Sequence, residues 1–167
     1  DFNNRSQLDN FLKSINNKYP KWVNDLSIIK TGYQDEINAL IKKKGSSINK
    51  KNLIVFLGSS TFRLWNSLIS DFEPYNVINF GFGGAFIEDC LRYIDVLFSD
   101  MNPSLIILYL GGNDLSLGYS ADEINKLNNE LISKIKFKYP NTFIFSVSIK
   151  PSRHRIDQMD EIIRLNH

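Results

Sequence analysis

Three short segments of the sequence combine residue types that could carry out acyl transfer. The segments are Gly58–Ser60, the glycine-rich run Asn79–Gly84, and Gly111–Asp114. A serine hydroxyl is a candidate nucleophile toward a carbonyl carbon. Glycine lets a backbone N–H approach an oxyanion closely because no side chain intervenes, and the Asn113 amide supplies a further donor. These residue types together predict a nucleophile facing a set of oxyanion donors.

Each of these segments lies at the end of an apolar run, or directly after it, and such runs are typical of buried strands. The candidate strands are Leu53–Leu57, Asn76–Phe80, Leu105–Leu110 and, later in the chain, Thr142–Val147. Strands that alternate with helices form mostly parallel sheets through right-handed crossovers. The carboxyl ends of parallel strands lie at one edge, where open α/β folds bind their ligands. We therefore expect the three segments to face one crevice.

Helical patterns fill the intervals between these strands. One runs from Ile87 to Phe98, and another opens with the capping box of Ser120 and Glu123. A last helical pattern lies between Ile156 and Leu165. A helix is also expected after Gly58, with its positive N-terminal end beneath the serine. Alternatively, a hydroxyl among residues 59–61 only caps that helix.

The first 50 residues are predicted to be helical. Apolar stripes precede residue 30, and a third, from Tyr33 to Ile41, ends in the basic run Lys42–Lys44 and Gly45, a favourable helix C-terminus. The basic run and Lys50–Lys51 flank a short polar stretch, which favours a solvated loop over a binding patch. The predicted organisation is a helical segment, residues 1–51, packed on an α/β domain, residues 52–167.

The composition of the 167-residue chain is that of an ordinary globular protein, with 43% hydrophobic and 23% charged residues. A net charge of +2 gives no reason to expect a nucleic-acid partner. The single cysteine, Cys90, excludes an internal disulfide, and the two histidines show no metal-ligand spacing. No apolar run reaches membrane length. The chain starts at Asp1 without a signal segment, so a targeting sequence is expected to have been removed or never present, and the compartment stays open.

The three segments resemble signature blocks of the SGNH hydrolases, also called GDSL-type esterases and lipases. Gly58–Ser60 is similar to the nucleophile block, Asn79–Gly84 to the second, and Gly111–Asp114 to the third. The resemblance covers most of the chain after residue 52. It implies a flavodoxin-like three-layer α/β/α sandwich with a mostly parallel sheet, here with a helical N-terminal extension. It also implies Ser60 as nucleophile, with the Gly84 backbone N–H and the Asn113 side chain as oxyanion donors.

The fourth block of that family, an Asp-x-x-His near the C-terminus, is absent. Pro151 stands three residues before His154, and Arg164 stands three before His167. In that block the histidine is the base for the serine, and the aspartate orients it. The catalytic histidine and aspartate are therefore expected outside these 167 residues, in a chain that is truncated or degenerate.

Other interpretations of the same residues are weaker. The third glycine of a dinucleotide-binding G-x-G-x-x-G pattern would fall at Phe86. Asp114 is expected to brace its own loop rather than to bind a metal. Arg63 and Trp65 could contact a substrate. Alternatively, Arg63 is exposed to solvent and Trp65 only packs its helix against the protein.

The resemblance implies a carboxylic ester hydrolase that acts through an acyl-serine intermediate and favours short acyl groups. Small esters or acylated carbohydrates are the expected substrates, and the chemistry needs no cofactor or metal. The alternative is an inactive protein of this fold that binds an acylated carbohydrate or a protein partner. The oligomeric state cannot be predicted from the sequence.

Overall fold

The computed structural model describes residues 33–45 and 51–167. The chain divides into two compact units, Asp1–Asp35 and Glu36–His167, and the sheet lies in the second. The helices predicted before residue 30 lie outside the described residues. The predicted division at residue 51 stays a prediction.

Four parallel strands form the sheet, in the order β2-β1-β3-β4. They are β1 (Leu53–Gly58), β2 (Val77–Gly81), β3 (Pro103–Tyr109) and β4 (Phe143–Ser146). Each overlaps a strand predicted from an apolar run, with bounds that differ by at most two residues. The predicted parallel sheet is therefore confirmed. Its strands are joined by crossover connections, as expected for an α/β fold.

One face of the sheet forms a fully buried core. Leu53, Val55 and Leu57 of β1 are completely inaccessible to solvent. Helices α4 (Ile87–Leu97) and α6 (Ala121–Lys138) pack against each other, and α4 buries its apolar stripe. Aromatic rings continue this layer from the sheet to the helix ends, since Phe80 contacts Phe98 and Phe98 contacts Tyr139.

Short helices cover part of the opposite face. These are α2 (Ser60–Arg63) and α3 (Leu68–Asp71). Phe62 and Leu68 form a buried cluster with Phe56 of β1, and the Phe56 and Phe62 rings meet edge to face at 5.3 Å. Helices thus lie on both faces of the sheet, which confirms the three-layer α/β/α class.

Helix α1 (Gln34–Lys44) is held against the end of α4 by a buried lysine. The Lys44 Nζ donates hydrogen bonds to the carbonyls of Val96 and Ser99, at 3.3 and 3.0 Å. These acceptors are carbonyls at the C-terminal end of α4, which favours a cation. The prediction that the whole basic run is a solvated loop is therefore wrong for Lys44.

The C-terminal part of the described chain packs beside α6. Here a 3-10 helix (Arg153–Gln158) leads into α7 (Met159–Asn166), slightly later than the predicted start at residue 156. The predicted capping box at the start of α6 is confirmed: the Ser120 N–H donates to Glu123 Oε2 at 2.8 Å, and the Glu123 N–H donates to Ser120 Oγ. In the part of the chain that the structure describes, no helix could span a membrane.

Candidate active site

The first three strands end side by side. In the sheet register, Gly58 of β1 lies opposite Gly81 of β2 and Tyr109 of β3. Two hydrogen bonds continue this pairing beyond the strands, from the Phe82 N–H to the Gly58 carbonyl and from the Ser59 N–H to the Tyr109 carbonyl. The three predicted segments therefore leave the sheet from adjacent positions.

Ser60 is the first residue of α2 and is partly exposed. Ser59 is at the N-cap position but makes no side-chain cap hydrogen bond, so the capping alternative has no support at that residue. Helix α2 contains only four residues. Ser60 therefore lies at a helix N-terminus, as expected, and the positive charge there is small because one turn aligns few peptide dipoles.

The second segment is packed directly on α2. Asn79 Nδ2 donates to the Phe62 carbonyl at 2.6 Å, while Asn79 Oδ1 accepts from the Gly81 N–H at 2.8 Å. A Cβ at Gly81 would overlap the backbone of Phe62 and Arg63. Glycine is therefore required at residue 81 by the close approach of two backbones.

Gly84 adopts φ of 68°, a left-handed conformation that glycine accepts without steric cost. The preceding residue is held by Glu36 of α1, since the Gly83 N–H donates to both carboxylate oxygens at 3.1 and 3.2 Å. Glu36 Oε1 also lies 3.7 Å from Arg63 Nε at the end of α2. One carboxylate therefore links the glycine-rich segment to the helix that begins at Ser60.

Sequence reasoning missed Glu36. It lies 47 residues before Gly83 in the chain, within a predicted helix whose apolar stripe was the visible signal. No spacing relates it to any of the three segments. Only the packing of α1 brings its carboxylate to the glycine-rich segment.

Asn113 lies in α5 (Gly112–Ser116), which follows β3. Its Nδ2 donates to the carbonyl of Ala85 at 2.9 Å, next to Gly84 in the chain. The side-chain amide nitrogen of Asn113 carries two hydrogens, so one N–H takes part in this bond and the second can donate to another acceptor. The structure thus joins the second and third segments through the predicted oxyanion donor.

Asp114 is almost fully buried at 1% exposure. Its Oδ1 accepts from the Ile87 N–H at 3.2 Å, at the start of α4, and its Oδ2 has no hydrogen-bond partner. Burial raises the pKa of this carboxyl to about 6, opposed by hydrogen bonds from the N–H groups of Ile87 and of Asp114 itself. Asp114 therefore braces α4 as well as its own loop.

The C-terminal segment packs on α5, the helix that contains part of the third segment. Arg155 Nε donates to Ser116 Oγ at 3.4 Å, and Gln158 Nε2 donates to the Leu115 carbonyl. His167 lines a cleft of about 220 Å³ that also includes Leu110, at the end of β3. The side chain of His154 lies outside what the structure describes.

Two aromatic residues of the second segment belong to the core. Phe80 and Phe82 are completely buried. In the described ranges, no group of three histidine, cysteine or acidic residues could hold a metal ion. The use of Ser60, Gly84 and Asn113 as one catalytic site stays a prediction.

No family model matches the chain. No curated protein sequence matches it either.

Solved structures do match. A Streptococcus pneumonia protein assigned as a platelet activating factor is similar with a TM-score of 0.60 and 19% identity, over 82% of this chain and 65% of that protein. A GDSL-like lipase from Bacteroides thetaiotaomicron has a TM-score of 0.62 and 19% identity, over 75% of this chain and 69% of its own. The acetyl xylan esterase AlAXEase has a TM-score of 0.54 and 24% identity, over 68% of each chain.

The chain spans about two thirds of the length of these solved proteins. Further similar structures are described as GDSL-family lipolytic proteins or lipases. The strand order, the helices on both faces of the sheet and the similarity to these solved structures all indicate the same fold. The chain has the fold of the GDSL-type lipases and esterases.

Proposed function

We propose that this chain carries the nucleophile and the oxyanion donors of a serine-dependent carboxylic ester hydrolase. The observation that carries the proposal is the junction of the three segments at the ends of β1, β2 and β3. Ser60 is the nucleophile, and the Gly84 N–H and the Asn113 side chain are oxyanion donors, with the Ser60 N–H as a third. The Asn113 bond to Ala85 supports this assignment because it lies one residue from Gly84.

In the proposed reaction, Ser60 Oγ forms a bond to the acyl carbon while its proton passes to a base. The carbonyl electron pair moves to the oxygen, where preorganised N–H donors stabilise the charge. The tetrahedral intermediate then expels the alcohol, which receives the proton, and leaves an acyl-serine. Water repeats the sequence to release the acid and regenerate the hydroxyl. No cofactor takes part in these steps.

The base is proposed to be a histidine outside these 167 residues, oriented by an aspartate, as in a serine–histidine–aspartate triad. The Asp-x-x-His block, which is absent from these residues, would supply both side chains. His154 and His167 are the alternatives within the chain. The experiment below separates the two cases.

Short acyl esters, including acetylated carbohydrates, are the proposed substrates. Support comes from the similarity to AlAXEase, which is an acetyl xylan esterase, at 24% identity. The assignment of this substrate class to the present chain is our inference. Esters of acetate are therefore the first substrates to test.

The nucleophile can be tested by covalent labelling with a fluorophosphonate, which forms a phosphorus–oxygen bond to an activated serine and releases fluoride. We expect labelling at Ser60, detected by peptide mass spectrometry, and faster labelling when imidazole in solution replaces the missing base. Ser60→Ala should abolish the label, while Ser59→Ala, next to it, is the matched control. Asn113→Ala should slow labelling about 100-fold or more, as for loss of one oxyanion donor.

Hydrolysis of an aryl acetate by the same proteins locates the base. Turnover that depends on Ser60 would place the base within these residues, and His154→Ala and His167→Ala would then identify it. Labelling without turnover would agree with a base outside the chain. A label on another serine, or none even with imidazole, would contradict the proposal and favour the non-catalytic binding protein.

A further inference from the structure

A cleft of about 650 Å³ lies beside β2, which is an edge strand of the sheet. Its walls come from the end of α1, from the segment between Arg63 and Ile69, and from β2 residues 77–79. Within the described residues β2 pairs only with β1, so polar backbone groups of its outer edge border the cleft. A cleft of this volume is in the range of small-ligand pockets.

Among the described residues that line this cleft, the charged ones are all basic. Lys42, Lys43 and Arg63 line it, and none of the residues that the structure places in its walls is acidic. Arg63 Nε forms an ion pair with Glu36 Oε1 at 3.7 Å, and the guanidinium has further N–H donors on its other nitrogens. A concave surface lined by one sign of charge attracts ligands of the opposite sign.

The remaining wall is apolar and open to solvent. Ile69 is 59% exposed and Trp65 is 37% exposed, although both are large hydrophobic residues. The indole Nε1 of Trp65 donates to Asp71 Oδ2 at 2.6 Å, and its ring contacts Phe56 and Phe72. The ring is therefore held in place beside the basic groups, so an apolar body could pack there without reorganising the wall.

We propose that this cleft binds a small organic anion, with its oxyanion group among Lys42, Lys43 and Arg63 and its apolar body against Trp65 and Ile69. The pairing of three cations with an exposed apolar wall matches an oxyanion joined to an aromatic or aliphatic group, rather than a free inorganic ion. The site adjoins α2, because Arg63 is the last residue of that helix. It does not rest on the proposed ester hydrolysis.

Phenyl phosphate is a suitable probe, titrated into the full chain while the indole N–H resonance of Trp65 is followed by NMR. Trp65→Phe assigns that resonance. We expect a saturable shift with a Kd of about 1 mM or tighter, as for a ligand of this size. The double variant Lys42→Gln and Lys43→Gln should raise the Kd about fivefold or more, since each removes a cation. Lys126→Gln, an exposed lysine of α6, is the control and should leave the Kd unchanged.

Two further ligands test the anionic group and the apolar body of the proposed ligand separately. Benzyl alcohol, which is neutral, should bind more weakly than phenyl phosphate, and so should inorganic phosphate, which has no apolar body. Ile69→Ser should weaken phenyl phosphate but not inorganic phosphate. The proposal is overturned if no saturable shift occurs, if the lysine double variant binds like Lys126→Gln, or if inorganic phosphate binds as tightly as phenyl phosphate.

Discussion

Glu36 is a residue whose importance comes from its contacts alone. Its carboxylate accepts from the Gly83 N–H and lies near Arg63, so it connects the glycine-rich segment to α2. Side-chain hydrogen bonds to charged groups stabilise more than neutral ones do. We infer that Glu36 holds the backbone at residues 83 and 84 in its observed conformation.

Glu36→Ala should loosen that backbone. We expect amide hydrogen exchange at Gly83 and Gly84 to accelerate about tenfold or more, because the charged acceptor is lost. Glu36→Gln keeps one acceptor oxygen and should have a smaller effect. Glu130→Ala, an exposed acid of α6, is the control. Equal exchange rates in Glu36→Ala and Glu130→Ala would show that the contact does not order the segment.

Asp114 should make stability depend on pH. Its pKa is about 6 in the folded protein and 3.8 in the reference state. Between these values the folded state keeps a proton that the unfolded state has released, so the free energy of unfolding falls as pH rises from about 4 to about 6. By pH 7 the loss amounts to about 3 kcal/mol.

Asp114→Asn should remove this dependence because an amide does not titrate in that range. Urea unfolding at about pH 4 and about pH 7 measures it, and the variant should lose about 2 kcal/mol less than the parent chain between the two conditions, because part of the effect has already developed below pH 4. Asp160→Asn, an exposed acid of α7, controls for the general loss of one charge. Parallel pH profiles for the parent and Asp114→Asn would exclude this role.

At the scale of elements, α6 depends on its N-terminal capping box. Ser120 and Glu123 bond to each other's backbone N–H groups, which satisfies donors that the helix itself cannot use. Helix α6 packs on α4 and is joined to α7 by the bond from the Ala121 N–H to the Glu161 carboxylate. Its first turn therefore supports both the core and the C-terminal segment.

Ser120→Ala should lower the free energy of unfolding by about 1 kcal/mol, the usual effect of losing an N-cap side chain. Chemical denaturation measures the difference. Ser133→Ala, at an exposed position inside α6, should cause no loss because alanine is the better helix former. A cap variant as stable as the interior variant would mean that tertiary contacts alone maintain the first turn.

At the scale of the whole molecule, the sheet is covered unevenly. Alternate residues of the chain through β4 share one face, and Phe143, Phe145 and Val147 are 71%, 61% and 44% exposed there. In the part of the chain that the structure describes, β4 pairs only with β3. An edge strand with exposed apolar side chains favours association with further chains.

We therefore expect the 167-residue chain to self-associate with rising concentration, as measured by sedimentation velocity. Phe145→Lys should reduce this association because a charge on an edge strand opposes pairing. Phe137→Lys, which adds the same charge at an exposed position of α6, is the control. If both variants associate like the parent chain, the β4 face does not drive association.

Much of the architecture follows from local patterns. The apolar runs predict all four strands, and for β1, β2 and β3 the reason is burial, because a strand buried on both faces cannot tolerate polar side chains. The expectation that β4 is buried as well is wrong, since most of its side chains are exposed. The Ser120–Glu123 box predicts the start of α6, because capping is a local hydrogen-bond requirement. The glycines of the second segment were visible in the sequence, but the reason for Gly81 is the backbone of α2, which only the structure shows.

Contacts between distant parts of the chain could not be predicted in this way. Lys44 resembles its two lysine neighbours in sequence, yet it alone is buried, because α1 places its ammonium group at the end of α4. Glu36 and the basic cleft depend on the same placement of α1. Short-range patterns report which face of an element is apolar, not which other element will meet it.

The sequence by itself determined the α/β class, the four strands and the three loop segments, because hydrophobic period and glycine content are local properties. The tertiary structure decided which strand ends are adjacent, that Asn113 is bonded to the Ala85 carbonyl, and that Asp114 is buried against α4. These features depend on strand order and helix packing, which bring together residues far apart in the chain.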